Sequence, residues 1–283
     1  MKRGLAGTNN LFAHDTRKTG TVRCVTPLSL TIPQAIFLFF AGMLGGALNA
    51  VAGGGSFIGF PALLFTGVPP IPANATNSLA LWIGIMASGG AYRKRLSIPM
   101  RVLIPLLVTG LTGGIAGAVL LLKTPAHTFM RLVPWLMLAA TVLFIFGKKL
   151  SGNRPSSVSQ DATSAAIAGA AAFELLVAVY GGYFGGGLGI VNLAMLAALG
   201  MVDIHAMNAL KSVLGSVING VAALAFVIAG AVYWPQALVT TAGAVVGGYF
   251  GAHYAQRLPQ SWIRAFVTMV GTAMTVYFFS KAY

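Results

Sequence analysis

From Cys24 to Tyr92 the chain runs for 69 residues without one Asp, Glu, Lys, Arg or His. A single helix needs about 20 apolar residues to cross a bilayer. The run therefore holds enough for several crossings, and no water-facing domain surface can be built from it. Across all 283 residues 57% are hydrophobic and only 8% are charged, against about 25% charged in an average soluble domain. A soluble globular enzyme is excluded, and so is a disordered chain, which requires low hydrophobicity. An outer-membrane barrel would alternate in segments of about ten residues, whereas the apolar runs here are long and unbroken. The expected fold class is an all-α polytopic membrane protein.

The 18 basic and 4 acidic residues give a net charge of +14. In a membrane protein such an excess is read as Lys and Arg gathered in cytoplasmic loops, so no nucleic acid partner is expected. Cys24 is the single cysteine and can build neither an internal disulfide nor a metal site. No metal and no cofactor is expected.

Glycines and prolines divide the apolar runs. A basic tail, residues 1–31, is followed by a first membrane repeat over 32–147, a linker over 148–161 with Lys148, Lys149 and Arg154, and a second repeat over 162–283. Pro33 to Ala52 reads as a helix, Gly53-Gly54-Gly55 as a break, and Ser56 to Thr66 as a helix of half length. A turn at Gly67-Val68-Pro69-Pro70 leads into helices at 71–92, 99–122 and 126–146. The order recurs: Ala162 to Phe184, a break at Gly185-Gly186-Gly187, a half helix at Leu188–Leu199, then helices near 205–229, 235–256 and 261–280. Gly53 lies 132 residues before Gly185, and Asn74 and Ser78 lie 134 before Asn208 and Ser212. Two halves in the same order indicate an internal duplication, a frequent mark of secondary transporters. The expectation is about eight transmembrane helices, each half having a Gly-rich broken first helix. Basic residues collect in the tail, the 93–101 loop and the linker, which assigns both termini to the cytoplasm. Four crossings per half would make the repeats parallel, whereas a full re-entrant loop at either triglycine segment would change that parity and leave them inverted.

Three successive glycines are costly in a helix, each about 1 kcal/mol worse than alanine. A break at membrane depth persists only where protein or a water-filled cavity covers its backbone. The helix that restarts offers free N–H groups and a positive dipole end, which suits an anion. The candidate anion site accordingly comprises Gly53, Gly54, Gly55 and Ser56, with its partner over Gly185–Gly189, above all Gly185, Gly186 and Gly187, in the second half. Asn49 and Asn192 flank the breaks. Asn74, Thr76 and Asn77 on the following helix, and Asn208, Lys211 and Ser212 on its counterpart, are further candidates. Asn74, Asn77 and Ser78 share one helical face, as do Asn208, Lys211, Ser212, Gly215 and Asn219. The plain alternative is close helix packing by small residues, with polar side chains bonding between helices. Glu174 is the one acid well inside an expected span, where a charge costs about 2.5–3.5 kcal/mol. It is a candidate for proton coupling, or for an ion pair that only joins helices. There is no H-E-x-x-H or G-x-S-x-G, no phosphate-binding Gly-Lys-Ser/Thr, and no pair of intramembrane carboxylates, so no enzymatic activity is expected.

The segment AGMLGGALNAVAGGGSFIGFPALLFTGVPPIPANATNSLALWIG resembles the first signature of the TauE/SafE sulfite exporter family, also called the 4-toluene sulfonate uptake permease family. NALKSVLGSVINGVAALAFVIAGAVYWPQALVTTAGAVVGGYFGAHYAQRLP is similar to its second. The likeness extends over roughly Phe37 to Tyr277. It implies a transporter of the bacterial cytoplasmic membrane, multi-pass, for sulfur-containing anions such as sulfite, sulfoacetate or related sulfonates. One departure stands out: Pro61 has Leu193 opposite it, so the two half-sites are expected to be unequal. Expected partners are a small anionic substrate, the lipid bilayer and protons as a coupling ion, with the halves rocking to alternate access. A passive anion channel and a non-transporting membrane scaffold are the competing classes.

Overall fold

The computed structural model describes residues 29–89, 99–150, 163–198, 201, 204–254 and 260–283. Most of the basic tail, the Arg93-Lys94-Arg95 cluster, all but the start of the linker and the Asn208 side chain lie outside the described residues. Among those described there are ten α-helices and no strand. In order they are α1 (Ile32–Ala52), α2 (Ser56–Phe65), α3 (Pro70–Gly89), α4 (Met100–Lys123), α5 (Ala126–Leu150), α6 (Ser164–Tyr183), α7 (Leu188–Ala198), α8 (Ile204–Ile228), α9 (Trp234–Tyr254) and α10 (Gln260–Ala282). Both triglycine breaks fall where the sequence reading puts them. The helix after each is short: α2 has 10 residues and α7 has 11. At 1.5 Å per residue these reach about 15 Å, half of a bilayer's hydrocarbon core.

Among the described residues four helical segments are long and apolar enough to cross a membrane: Ile32–Ala50, Met100–Lys123, Ser164–Tyr183 and Ala209–Ile228. Their faces are sorted in the manner of a membrane protein. On α4 the large residues Ile104, Val108, Leu111 and Ile115 point outward, with Ile104 55% exposed, while Gly110, Gly113, Gly114 and Gly117 are buried. On α1 Ile36, Phe40 and Leu44 face outward at helical spacing. In water this arrangement would waste the large side chains. In lipid, tails solvate them, and small residues let backbones approach closely. The chain is an integral membrane protein.

The most extensive interfaces join α1 to α9 and α4 to α6. In the first, Gly243 and Gly247 of α9 lie against the main chain of Phe39 and Met43, and Gly42 and Gly46 of α1 lie against Thr240 and Ala244. In the second, a Cβ added at Gly113 would meet Ala178 Cβ at 2.6 Å, and one at Gly117 would meet Tyr183 N at 2.7 Å. α3 packs on α9, α4 on α8, α3 on α8 and α5 on α10. A cluster of buried rings centres on Phe60 of α2, whose ring lies 6.0 Å from Phe129, 5.8 Å from Phe184 and 5.8 Å from Phe278.

Candidate functional site

The two breaks touch each other. Gly53 takes the left-handed φ of +79° that ends α1, its N–H donating to the carbonyls of Leu48 and Asn49 at 3.1 Å each. A Cβ added there would lie 2.5 Å from Gly189 Cα, and one added at Gly189 would lie 2.8 Å from Gly53 Cα. Backbone therefore meets backbone, and only glycine on both sides permits it. Past the contact α2 restarts with Phe57 N–H donating to Gly54 O at 3.1 Å. This leaves the amides of Gly54, Gly55 and Ser56 ahead of the helical ladder. On the other side Leu188 N–H reaches Gly185 O at 3.4 Å and Val191 N–H reaches Gly187 O at 3.1 Å, with Gly185 and Gly187 both at positive φ. The Tyr180 hydroxyl donates to Gly186 O and ties the second break to α6.

Where the breaks meet there is a small cavity of about 30 Å³, room for about two water-sized groups. α1, α2 and α3 contribute Asn49, Gly53, Ser56 and Ser78 to its wall. The second half contributes Gly185, Gly189, Lys211, Ser212, Gly215 and Asn219. Ala50, Leu81, Ile85 and Leu188 form the apolar part. Lys211 is 5% exposed, and its Nζ has no hydrogen-bond partner among the described residues. A buried cation without a counter-charge costs several kcal/mol, so an occupant carrying negative charge would offset that cost.

Not every candidate reaches the cavity. Gly54, Gly55, Gly186 and Gly187 form the turns beside it. Asn77 Nδ2 donates to Ser56 Oγ at 2.9 Å, so Asn77 orients a wall residue instead of lining the space itself. Asn74 Nδ2 donates to Tyr183 O at 3.1 Å, which fastens α3 to the end of α6. Thr76 Oγ1 accepts from Tyr233 N–H at 3.1 Å and holds the entry to α9. Asn192 is fully buried, with both amide atoms unpartnered among the described residues, and it stands off the cavity wall on α7. Glu174 is also fully buried and unpartnered there; a Cβ at Gly110 of α4 would lie 3.8 Å from its Oε1. It lies off the cavity, on the α6 face toward α4.

The wall residues beyond the candidate set follow a readable rule. Ser78, Leu81 and Ile85 continue one stripe of α3, as Gly215 and Asn219 continue the stripe of Lys211 on α8. The Gly53–Gly189 contact is different. The 132-residue offset pairs Gly53 with Gly185, and the chain instead meets four residues later.

The family described as "Sulfite exporter TauE/SafE" matches residues 38–278. A "Probable membrane transporter protein" of Haemophilus influenzae is 28% identical over 221 residues, covering 76% of this chain and 82% of that protein. "Probable membrane transporter protein ORF9" of a Sinorhizobium species is 28% identical over 211 residues, covering 72% and 76%. "Probable membrane transporter protein YfcA" of Escherichia coli K12 is 27% identical over 221 residues, covering 76% of each. With 38–278 matched end to end through both glycine breaks, the chain belongs to the TauE/SafE sulfite exporter family.

Proposed function

We propose that this chain is a secondary transporter that exports small sulfur-containing anions, such as sulfite or organosulfonates, across the bacterial cytoplasmic membrane. Its family and its relatives support the coarser statement that it is a membrane transporter. The observation that carries the reading is Lys211, a buried cation whose Nζ has no partner among the described residues, on the cavity where the two broken helices meet. Backbone amides ahead of the hydrogen-bonded ladder at a helix start and a desolvated ammonium are the elements of an anion site.

In this reading α1, α3, α4, α5, α6, α8, α9 and α10 each cross the bilayer, and both termini are cytoplasmic. The helix pairings support a duplicated chain: exchanging α1 with α6, α3 with α8, α4 with α9 and α5 with α10 turns the α1–α9 interface into α6–α4 and maps α5–α10 onto itself. They also revise how access would alternate. Since α1 is packed on α9 and α4 on α6, the rocking bodies are pairs drawn from both halves, not the halves themselves. Glu174, buried beside α4 with no partner among the described residues, is the proposed carrier of a coupling proton.

The test is flux in proteoliposomes of sulfite, sulfate, thiosulfate, sulfoacetate and chloride, with and without a pH gradient. Saturable flux of a sulfur anion that responds to the gradient is the expected result, and Gly54→Leu or Lys211→Ala should abolish it. Fast unsaturable flux of every anion would make the chain a channel. Full flux in folded variants would remove the site, and no flux of any of the five would remove the substrate class.

A further inference from the structure

The cavity is built from corresponding positions of the two halves, and their chemistry differs. Ser78, Leu81 and Ile85 of α3 lie 134 residues before Ser212, Gly215 and Asn219 of α8, and all six line the space. Asn77, the position before Ser78, corresponds to Lys211. The α8 wall is thus cationic and polar, whereas the α3 wall becomes apolar after Ser78. Among the described residues of the wall, Lys211 is the single ionisable one: there is no carboxylate to compensate it and no second cation beside it. Its ammonium is buried and has no partner among the described residues. One positive charge in a desolvated space is neutralised by one negative charge. A dianion would leave a net charge at membrane depth, where nothing on the wall balances it.

Resting on the anion-transporter reading of this site, we infer that the cavity selects singly charged anions over dianions. The charged head lies at Lys211, and an uncharged apolar substituent lies against Leu81 and Ile85. A small sulfonate meets both requirements of charge and polarity, and since the cavity of about 30 Å³ holds about two water-sized groups, binding it requires the walls to part. Sulfate satisfies neither, having a second charge and no apolar side. The loaded site is electrically neutral.

Equilibrium binding of methanesulfonate and of sulfate to the purified full-length protein, by calorimetry, tests this without reference to flux. The two anions differ in hydration as well as in charge, so the decisive quantity is how their affinity ratio changes between variants. Methanesulfonate should bind at least about tenfold tighter than sulfate, with Lys211→Arg preserving that order. Lys211→Met should weaken methanesulfonate at least about tenfold. Asn49→Lys, which brings a second cation to the same wall, should move the ratio at least about tenfold toward sulfate. Should Lys211→Met fail to fold, judged by circular dichroism, the Lys211→Arg and Asn49→Lys arms still decide. A wild-type preference for sulfate, a ratio unmoved by Asn49→Lys, or no binding of either anion would overturn the inference. Selective binding without flux would leave it standing and remove the transporter reading. Flux in which sulfate is preferred would do the reverse.

Discussion

Contact between the two glycine breaks makes a quantitative demand on position 53. Replacing Gly53 by Ala adds a methyl 2.5 Å from Gly189 Cα, well inside van der Waals contact and against backbone that cannot rotate away. Two costs add. The left-handed φ of +79° costs a non-glycine residue about 1–2 kcal/mol. Overpacking a filled site costs about 1–3 kcal/mol. Together Gly53→Ala should destabilise the protein by about 2–5 kcal/mol. Gly189→Ala carries only the second cost, since its φ lies outside the positive range and its methyl meets Gly53 Cα at 2.8 Å. The difference between the two variants combines the backbone term at Gly53 with the helix-propensity gain that alanine brings at Gly189 inside α7. Gly169→Ala on α6 is the control: a Cβ there meets nothing within 4 Å, and alanine in a helix is the better residue by up to about 1 kcal/mol. Thermal unfolding of the three detergent-purified variants, followed by circular dichroism, should order them Gly169→Ala, then Gly189→Ala, then Gly53→Ala from most to least stable. Three equal midpoints would refute the contact, and with it the reading that the two breaks form one site.

A Cβ at Gly215 meets nothing within 4 Å although the residue lines the cavity, so Gly215→Ala should fold as well as wild type and weaken anion binding by occupying the space. Calorimetry would expose unchanged affinity. Glu174→Gln removes a buried ionisable group that has no partner among the described residues; it should leave the thermal midpoint equal or higher and eliminate the response of flux to a pH gradient. A response that persists would exclude Glu174 as the proton carrier. Phe60→Ala opens a void among Phe129, Phe184 and Phe278, with an expected cost of about 3 kcal/mol, the low end for such truncations because lipid supplies no aqueous transfer term. A loss under about 1 kcal/mol would mean that the ring cluster does not support the breaks.

Helix positions and both breaks were legible because local chemistry decides them. Gly53-Gly54-Gly55 and Gly185-Gly186-Gly187 interrupt otherwise apolar runs, and α2 and α7 follow where expected. The cavity wall was legible in part. The stripe from Lys211 to Asn219 declares itself by polarity in an apolar helix, while Leu81 and Ile85 look like any membrane residue until the opposing helix is known. Long-range partners were not legible. Asn74 finds the Tyr183 carbonyl 109 residues away, and an asparagine amide carries no mark of whether it faces a ligand or a main chain. The α1–α9 and α4–α6 pairings escape for a related reason. A glycine face permits close approach, and without directional groups it does not specify which helix approaches.

The α1–α9 seam sets a timetable for synthesis. α1 begins at Ile32 and its partner begins at Trp234, so the ribosome makes about 200 residues between them, a wait of about 10–40 s at 5–20 residues per second. Throughout that interval the groove at Gly42 and Gly46 is filled by lipid tails or by a transient protein neighbour. α4 waits less, since α6 follows it directly after α5. A first half released alone would thus carry two unsealed grooves into the bilayer, and two separately made halves would have to find each other in the membrane before either is complete.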